Sequence, residues 1–338
     1  MKRRVISVLL AVMLVIGFCQ TSVGAYKTET PPTDGSGDIE IVLAIEKFTL
    51  GQGYIVKPTL LTVPYGESVS KVMLNYFKEN NITYNSKMTS EELEEVSYIS
   101  DIEDSGTNQE LNIPQPILEA LYKKGNADGS TFELRERQSD RWLAAFDYSD
   151  WSGWMYSVNG SFPNRGQMEC FLEDGDIVRW QFTMYGYGAD LNPANGQWGL
   201  DPLMKFAKKD ELTYAIAFLR SRYSDETLEA NGVYANAMEV ITDWTAGAET
   251  VNTALANLQE EYADILHSEA PEITENLSTE EVSYTLGAEA ETLSVNAESV
   301  DNGIISYQWY RNTEPNIESA EEIPNANLRY YTPSTQYA

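Results

Sequence analysis

Two strand-like runs, each beside a turn signal, constrain the fold of this chain more than any other feature. The runs are Gly153–Val158 and Ile177–Met184, and the turn signals are Asn159-Gly160 and Glu173–Asp176. Asn and Gly both tolerate positive φ, so an Asn-Gly after an alternating run favours a tight turn in a β-hairpin. We therefore predict two strands that belong to one compact sheet.

These residues resemble the bacterial transcobalamin-like C-terminal domain, a family with a β-grasp-like fold. Its members carry a W-x-Y-x-V-N-G strand followed by an L-x-D-G-D-x-V-x-W strand. The first motif is present here as Trp154, Tyr156, Val158, Asn159 and Gly160. The second is present as Leu172, Asp174, Gly175, Asp176, Val178 and Trp180. The resemblance covers roughly residues 38–192 and implies a β-grasp-like domain, which we place at residues 38–195.

The N-terminus has the pattern of a secretory signal peptide. Lys2, Arg3 and Arg4 precede the apolar run Val5–Phe18, and small residues follow at Val23-Gly24-Ala25. We predict cleavage after Ala25, a polar linker over residues 26–37, and a secreted or cell-surface location. The apolar run is short for a membrane span, and no later run is long enough, so we expect no span in the mature chain.

The composition excludes several classes of function. Removal of residues 1–25 changes the net charge from −29 to −32, which disfavours binding to nucleic acid or anionic lipid. The only histidine is His267, and Cys170 is the only cysteine after Ala25. A Ser-His-Asp or Cys-His site is therefore not expected, and a zinc site would need carboxylates for nearly every ligand. We predict a protein that is not an enzyme.

The order of elements in the first domain also favours a β-grasp-like α+β fold. Two strand-like segments, Asp38–Leu50 and Tyr54–Val63, precede an amphipathic helix that begins after Ser68 and stops at Asn80-Asn81. An insertion around residues 103–150 follows, in which we expect a short helix at Ser139–Phe146.

Two further domains are predicted beyond Asn192. Residues 200–268 form a small α-helical bundle that serves as a spacer, with one helix starting at Asp201-Pro202 and a second capped by Asp210. Residues 270–338 resemble bacterial immunoglobulin-like surface domains, with Trp309 as the buried tryptophan. Such a sandwich needs about 100 residues, so we expect this all-β domain to be partial, with its C-terminal strands missing. The predicted fold class is therefore multidomain.

The candidate binding residues are aromatic. Alternation places Trp154, Tyr156 and Val158 on one face of a strand. One interpretation is that these rings are core residues or cross-strand pairs. The other is a flat aromatic platform for a sugar, a corrin ring or a partner chain. The platform would consist of Trp154, Tyr156, Trp180, Tyr185 and Tyr187.

A calcium site is a further alternative, at Asp190, Asn192 and Asn195. The stretch Asp190–Gly196 has its glycine at the seventh position, whereas an EF-hand loop needs glycine at the sixth. The same residues also fit the segment that follows the last strand in the transcobalamin-like family, and this interpretation needs no metal. We therefore assign no metal or cofactor.

We expect a non-catalytic, modular binding protein outside the cell, whose ligand is a glycan, a protein or a small molecule. The alternative is capture of a corrinoid such as cobalamin by the first domain. In animal cobalamin carriers, a β-rich C-terminal domain covers one side of the vitamin and a large helical barrel holds the other. The sequence contains no such barrel, so the resemblance implies the fold and transfers no cobalamin contact.

Overall fold

The computed structural model describes residues 37–90, 95–105, 110–127, 133–160, 162–163, 165–185, 188–191 and 201–266, and shorter stretches after 270. These stretches are 271–278, 282–288, 290–298, 307, 309–312, 320–323 and 330–335. The predicted signal peptide and nearly all of the linker lie outside the described residues. The chain divides into two compact units, one of them Tyr26–Ile265 and the other containing Leu266–Ala338. Within the described ranges, no helix has the length and hydropathy needed to cross a membrane.

The first unit is a mixed α/β structure. Its strands are β1 (Asp38–Glu46), β2 (Tyr54–Pro64), β3 (Tyr84–Ser90), β4 (Glu95–Glu103), β5 (Trp142–Ala144), β6 (Gly153–Val158) and β7 (Ile177–Thr183). Its helices are α1 (Val69–Glu79), α2 (Gln115–Ala127), α3 (Asp210–Arg222), α4 (Asp225–Glu229), α5 (Gly232–Thr242) and α6 (Ala248–Glu261). The short helix α7 (Ala263–Leu266) includes the point in the sequence at which the two units divide. Short 3-10 turns lie at Phe48–Leu50 and Gln167–Glu169.

The larger sheet has the strand order β2-β1-β7-β6, and the smaller has the order β3-β4-β5. In the larger sheet, β1 is antiparallel to β2 and parallel to β7, and β7 is antiparallel to β6. The register pairs Trp154 with Phe182 and Tyr156 with Trp180. Because side chains alternate along a strand, these four rings share one face, while Glu46, Ser157 and Arg179 lie on the opposite face.

Helix α1 forms where its apolar spacing predicts it. The Ser68 hydroxyl accepts a hydrogen bond from the Lys71 amide at 3.0 Å, and Asn80 is the C-terminal cap. The buried face of the helix contains Val69, Met73 and Phe77, which belong to the same core cluster as Trp154 and Trp180. Helix α1 therefore covers the aromatic face of the larger sheet.

The two predicted strands pair with each other, and both turn signals lie at the same end of the pair. Asn159 and Gly160 adopt φ of 53° and 71°. The Asn159 amide nitrogen donates to the Asp176 carboxylate at 2.7 Å, and its amide oxygen accepts from the Ile177 backbone at 2.8 Å. The chain between the strands is a long connection that includes the turn Gln167–Glu169, so the Asn-Gly turn does not join them directly.

The helix predicted at Ser139–Phe146 is wrong. This segment contains β5, which pairs with β4 through Leu143 opposite Ile102. Leu143 is fully buried, and Phe146 has a φ of 70°, which no right-handed helix accommodates. The core contacts of Leu143 outweigh the local helical pattern.

The helix predicted from Asp201-Pro202 is also wrong, because residues 201–209 contain no helix. The Leu203 amide donates to the Ala189 carbonyl at 3.0 Å, and the Phe206 ring packs edge-on against Trp244. Asp210 does not cap helix α3. The cap residue is Lys209, and Asp210 lies in the first turn.

Helices α3–α6 belong to the same compact unit as the larger sheet. Helix α3 packs against β2, β1 and β7. Its buried side chains include Leu212, Ala215, Ile216 and Leu219. The segment interpreted from sequence as a spacer is therefore a layer that covers the second face of this sheet.

The second unit contains short strands: β8 (Glu272–Glu275), β9 (Leu293–Ser294), β10 (Asn296–Glu298), β11 (Tyr310–Arg311), β12 (Glu321–Glu322) and β13 (Tyr330–Tyr331). They pair as β8 with β10, β9 with β13, and β11 with β12. Trp309 and Val295 are buried together, and Leu293 packs against them. The burial of Trp309 agrees with the sequence analysis.

Candidate functional site

The structure places two of the predicted platform residues in the core. Trp154 and Trp180 are 2% and 1% exposed. Trp154 packs edge-on against Phe182 and donates from Nε1 to the Leu143 carbonyl at 3.0 Å. Both rings lie in the core cluster that also contains buried side chains of α1 and β4, and neither presents a face to a ligand.

Tyr156 is partly buried beside them. Its ring stacks on Trp180 at a centroid distance of 5.6 Å, and its hydroxyl donates to the Arg165 carbonyl at 3.0 Å. Burial raises the pKa of this phenol, and the nearby Cys170 raises it further. Tyr156 is therefore a neutral side chain that links β6 to the connection after it.

Tyr185 is half-buried and packs edge-on against Trp151 at a centroid distance of 6.5 Å. Tyr187, like Asn192 and Asn195, lies outside the described residues. Of the predicted set, Tyr185 is thus the aromatic residue that the structure places near the surface at the end of β7.

Asp190 is fully buried, and its carboxylate is hydrogen-bonded by residues close to it in the chain. Its carboxylate accepts hydrogen bonds from the Thr183 hydroxyl at 2.6 Å and from the amides of Met184 and Tyr185 at 2.7 and 3.0 Å. Burial raises its pKa to about 7, although the hydrogen bonds act in the opposite direction. Among the described residues, no group of three or more His, Cys, Asp or Glu side chains is placed to hold a metal ion.

The loop between β5 and β6 has unusual backbone geometry. In this aromatic loop, defined as Ala145–Ser152, Phe146 and Tyr148 adopt φ of 70° and 69°, and Tyr148 is buried. Non-glycine residues at positive φ are strained by about 1–3 kcal/mol each, and such strain persists only where the surrounding structure imposes it. Phe146 is also 51% exposed, whereas most large aromatic side chains are covered.

The residue between these two, Asp147, imposes this geometry. Its carboxylate is fully buried and accepts hydrogen bonds from the amides of Ala144 and Gln138 at 2.8 and 3.0 Å. The Ser152 hydroxyl donates to the Asp147 carbonyl, and the Ser149 hydroxyl donates to the Met184 carbonyl at 2.8 Å. The loop is thereby fixed to the ends of β5 and β7.

The aromatic loop was not among the predicted site residues. The available signal was its composition, since Phe146, Tyr148 and Trp151 alternate with short polar residues that bond to the backbone. Its strain could not be read from the sequence, because positive φ at a bulky residue results from tertiary contacts.

A family model described as a domain of unknown function (DUF4430) matches residues 139–184. That family is transcobalamin-like. The matched residues span β5, the aromatic loop, β6 and β7, so they contain both strand motifs. No curated protein matches the chain. The similarity supports the resemblance at these residues and indicates no activity.

Proposed function

We propose that this chain is an exported, non-catalytic binding protein whose first unit presents the aromatic loop to a ligand outside the cell. The observation that carries the proposal is Phe146, an exposed ring on a strained backbone that the buried Asp147 holds in place. The sequence pattern of a cleaved signal peptide ending at Ala25 supports export.

Rigid presentation favours binding. A ring that is already held in place loses little conformational freedom when it meets a ligand, so more of its contact energy appears as affinity. Half-buried Trp151 and Tyr185 provide additional aromatic surface near this end of the sheet. Tyr, Trp and Phe are the residues enriched at recognition surfaces.

The wider architecture that we propose is modular. The strand order β2-β1-β7-β6, with parallel central strands and α1 on one face, supports a β-grasp-like fold for the sheet and α1. Buried Trp309, with Val295 and Leu293, supports an immunoglobulin-like second unit. In this proposal the helical layer α3–α6 is part of the first unit.

The test compares the binding of wild-type protein and of F146S to three kinds of ligand. These are the glycans of an array, immobilised matrix proteins, and cobalamin in solution. Cobalamin binding would be followed by visible absorbance and tryptophan fluorescence up to about 100 μM, a weak-binding limit. We expect F146S to weaken binding at least tenfold. Y122S, which removes an exposed ring on α2, is the control and should bind as wild type.

The outcomes separate the ligand classes. A spectral change with cobalamin that depends on Phe146 would favour the corrinoid alternative over a glycan or protein. Binding that F146S leaves unchanged would show that the aromatic loop is not the site. If the wild-type protein binds none of the three, these ligand classes are excluded.

A further inference from the structure

A lysine and an aspartate are buried in direct contact at the edge of the first unit's core. Lys47 follows β1, and Asp104 follows β4. The Lys47 Nζ lies 2.9 Å from the Asp104 Oδ1, and the two side chains are 1% and 0% exposed. A surface ion pair in this chain, Lys57 with Glu229, has side chains 36% and 58% exposed. The Lys47–Asp104 pair is thus shielded from water.

A second cation holds the other oxygen of the same carboxylate. Arg137 Nη1 donates to the Asp104 Oδ2 at 2.9 Å, and its Nε donates to the Trp142 carbonyl. Tyr148 is within electrostatic range of Arg137, Asp147 and Asp104. The buried carboxylate of Asp104 therefore lies between two cations, Lys47 and Arg137.

Burial makes the charged form of Lys47 unfavourable. Desolvation is the largest influence on this amine and lowers its pKa, while the hydrogen bond to Asp104 acts in the opposite direction. In a buried ion pair, the mutual attraction of the charges often fails to compensate for their lost hydration. A proton passed from the amine to the carboxylate removes both charges and leaves a nucleophilic amine against a carboxylic acid.

We propose that Lys47 and Asp104 condense to form an intramolecular amide bond. The neutral Lys47 Nζ attacks Cγ of Asp104, a new N–C bond forms, and the C–O bond to one carboxyl oxygen breaks. That oxygen leaves as water with two protons, both of which come from the original ammonium group. One ammonium and one carboxylate thus become one amide and one water, and no oxidant or other reactant is needed.

The neighbouring groups fit this reaction. The amine and the carboxyl group are already held in contact. Such positioning speeds the reaction as very high concentrations of the two groups would in solution. Arg137 donates to Oδ2, the oxygen on which negative charge builds during attack. After condensation, the amide oxygen can still accept from Arg137, whose Nε donates to the Trp142 carbonyl.

The bond would provide a covalent link in a chain that has only Cys170 after its predicted cleavage site. It would join positions 57 residues apart in sequence. Closing a loop of this size restricts the unfolded chain, as a disulfide does. For a protein outside the cell, such a link resists unfolding and reduction alike.

The experiment is the intact mass of the purified chain, with its N-terminus sequenced so that the expected mass is known. We expect a mass lower than the sequence predicts by one water molecule. Trypsin should fail to cut after Lys47, and a branched peptide should connect Lys47 to the segment containing Asp104. A mass equal to that of the sequence would overturn the proposal.

Two matched variants locate the bond. K47R keeps a cation beside Asp104 but removes the reactive amine, so its mass should equal that of its sequence. K57R changes an exposed, ion-paired lysine and should retain the loss of one water. A deficit that persists in K47R would place the bond elsewhere and refute the assignment. If K47R does not fold, the wild-type mass and the branched peptide still decide.

Discussion

The guanidinium group of Arg179 is held by both carboxylate oxygens of Glu46, at 2.7 and 2.8 Å. Arg179 lies on β7 and Glu46 at the end of β1, on the face of the sheet that α3 covers. Arg179 also donates to Asp210, in the first turn of α3, at 3.1 Å. A buried ion network therefore fastens the helical layer to the sheet.

Replacement of Glu46 with Gln should destabilise the first unit strongly. E46Q leaves the buried Arg179 with Asp210 as its remaining ionic partner, and breaking one side of a buried pair costs about 3–5 kcal/mol. Urea denaturation followed by tryptophan fluorescence measures the change in the free energy of unfolding. The control is E229Q at an exposed pair, which should change it by less than about 1 kcal/mol. Equal effects of the two variants would show that the network does not fasten the layers.

Replacement of Asn159 with glycine should destabilise the protein less than replacement with alanine. Both variants lose the side-chain bonds to Asp176 and Ile177, but only alanine must also hold a φ of 53°. A left-handed conformation costs a non-glycine residue roughly 1–2 kcal/mol. We expect N159A to be less stable than N159G by about 1 kcal/mol in thermal or urea unfolding. The reverse order would mean that backbone strain at this turn is unimportant.

Asp190 should make stability depend on pH. Burial raises its pKa in the folded protein to about 7 from an ordinary value of 3.8. The folded state thus binds the proton more tightly than the unfolded state, so the stability contributed by this group is complete below about pH 4 and is lost as the pH rises to about 7.

D190N removes this dependence. The free energy of unfolding of wild type relative to D190N should fall between pH 4 and pH 7 by up to about 4 kcal/mol. D150N changes an exposed carboxylate on the aromatic loop and serves as the control for the substitution itself. A constant difference between wild type and D190N across this range would contradict the assignment.

Glycine at position 146 should preserve the fold. F146G relieves the positive φ and removes a ring that is half exposed, so we expect no loss of thermal stability. L143A, which truncates a fully buried side chain in β5, should lose about 2–5 kcal/mol. If F146G were as unstable as L143A, the ring would be needed for folding and not for presentation to a ligand.

Local signals in the sequence predicted the elements that local forces specify. Alternation in Trp154–Val158 placed Trp154, Tyr156 and Val158 on one face, as the register with β7 confirms. The spacing of α1 and its cap at Ser68 were also correct. In each case the residues that decide the structure are near neighbours in the chain.

The incorrect predictions share a different cause. The segment Ser139–Phe146 has a helical pattern, yet its Leu143 pairs with β4, about forty residues earlier in the chain. Asp210 has the chemistry of a cap, yet it binds Arg179 on another element. Local propensity is a weak preference that such distant partners override.

The sequence alone determined the acidic charge, the two strands and their turns, and the resemblance to a transcobalamin-like domain, and it predicts an export signal, because these depend on composition and short-range pattern. Only the tertiary structure decided which aromatic rings are buried, which loop is strained, and that Lys47 meets Asp104. The physical reason is that burial and charge pairing depend on groups distant in sequence, and the free energy of those contacts exceeds any single local preference.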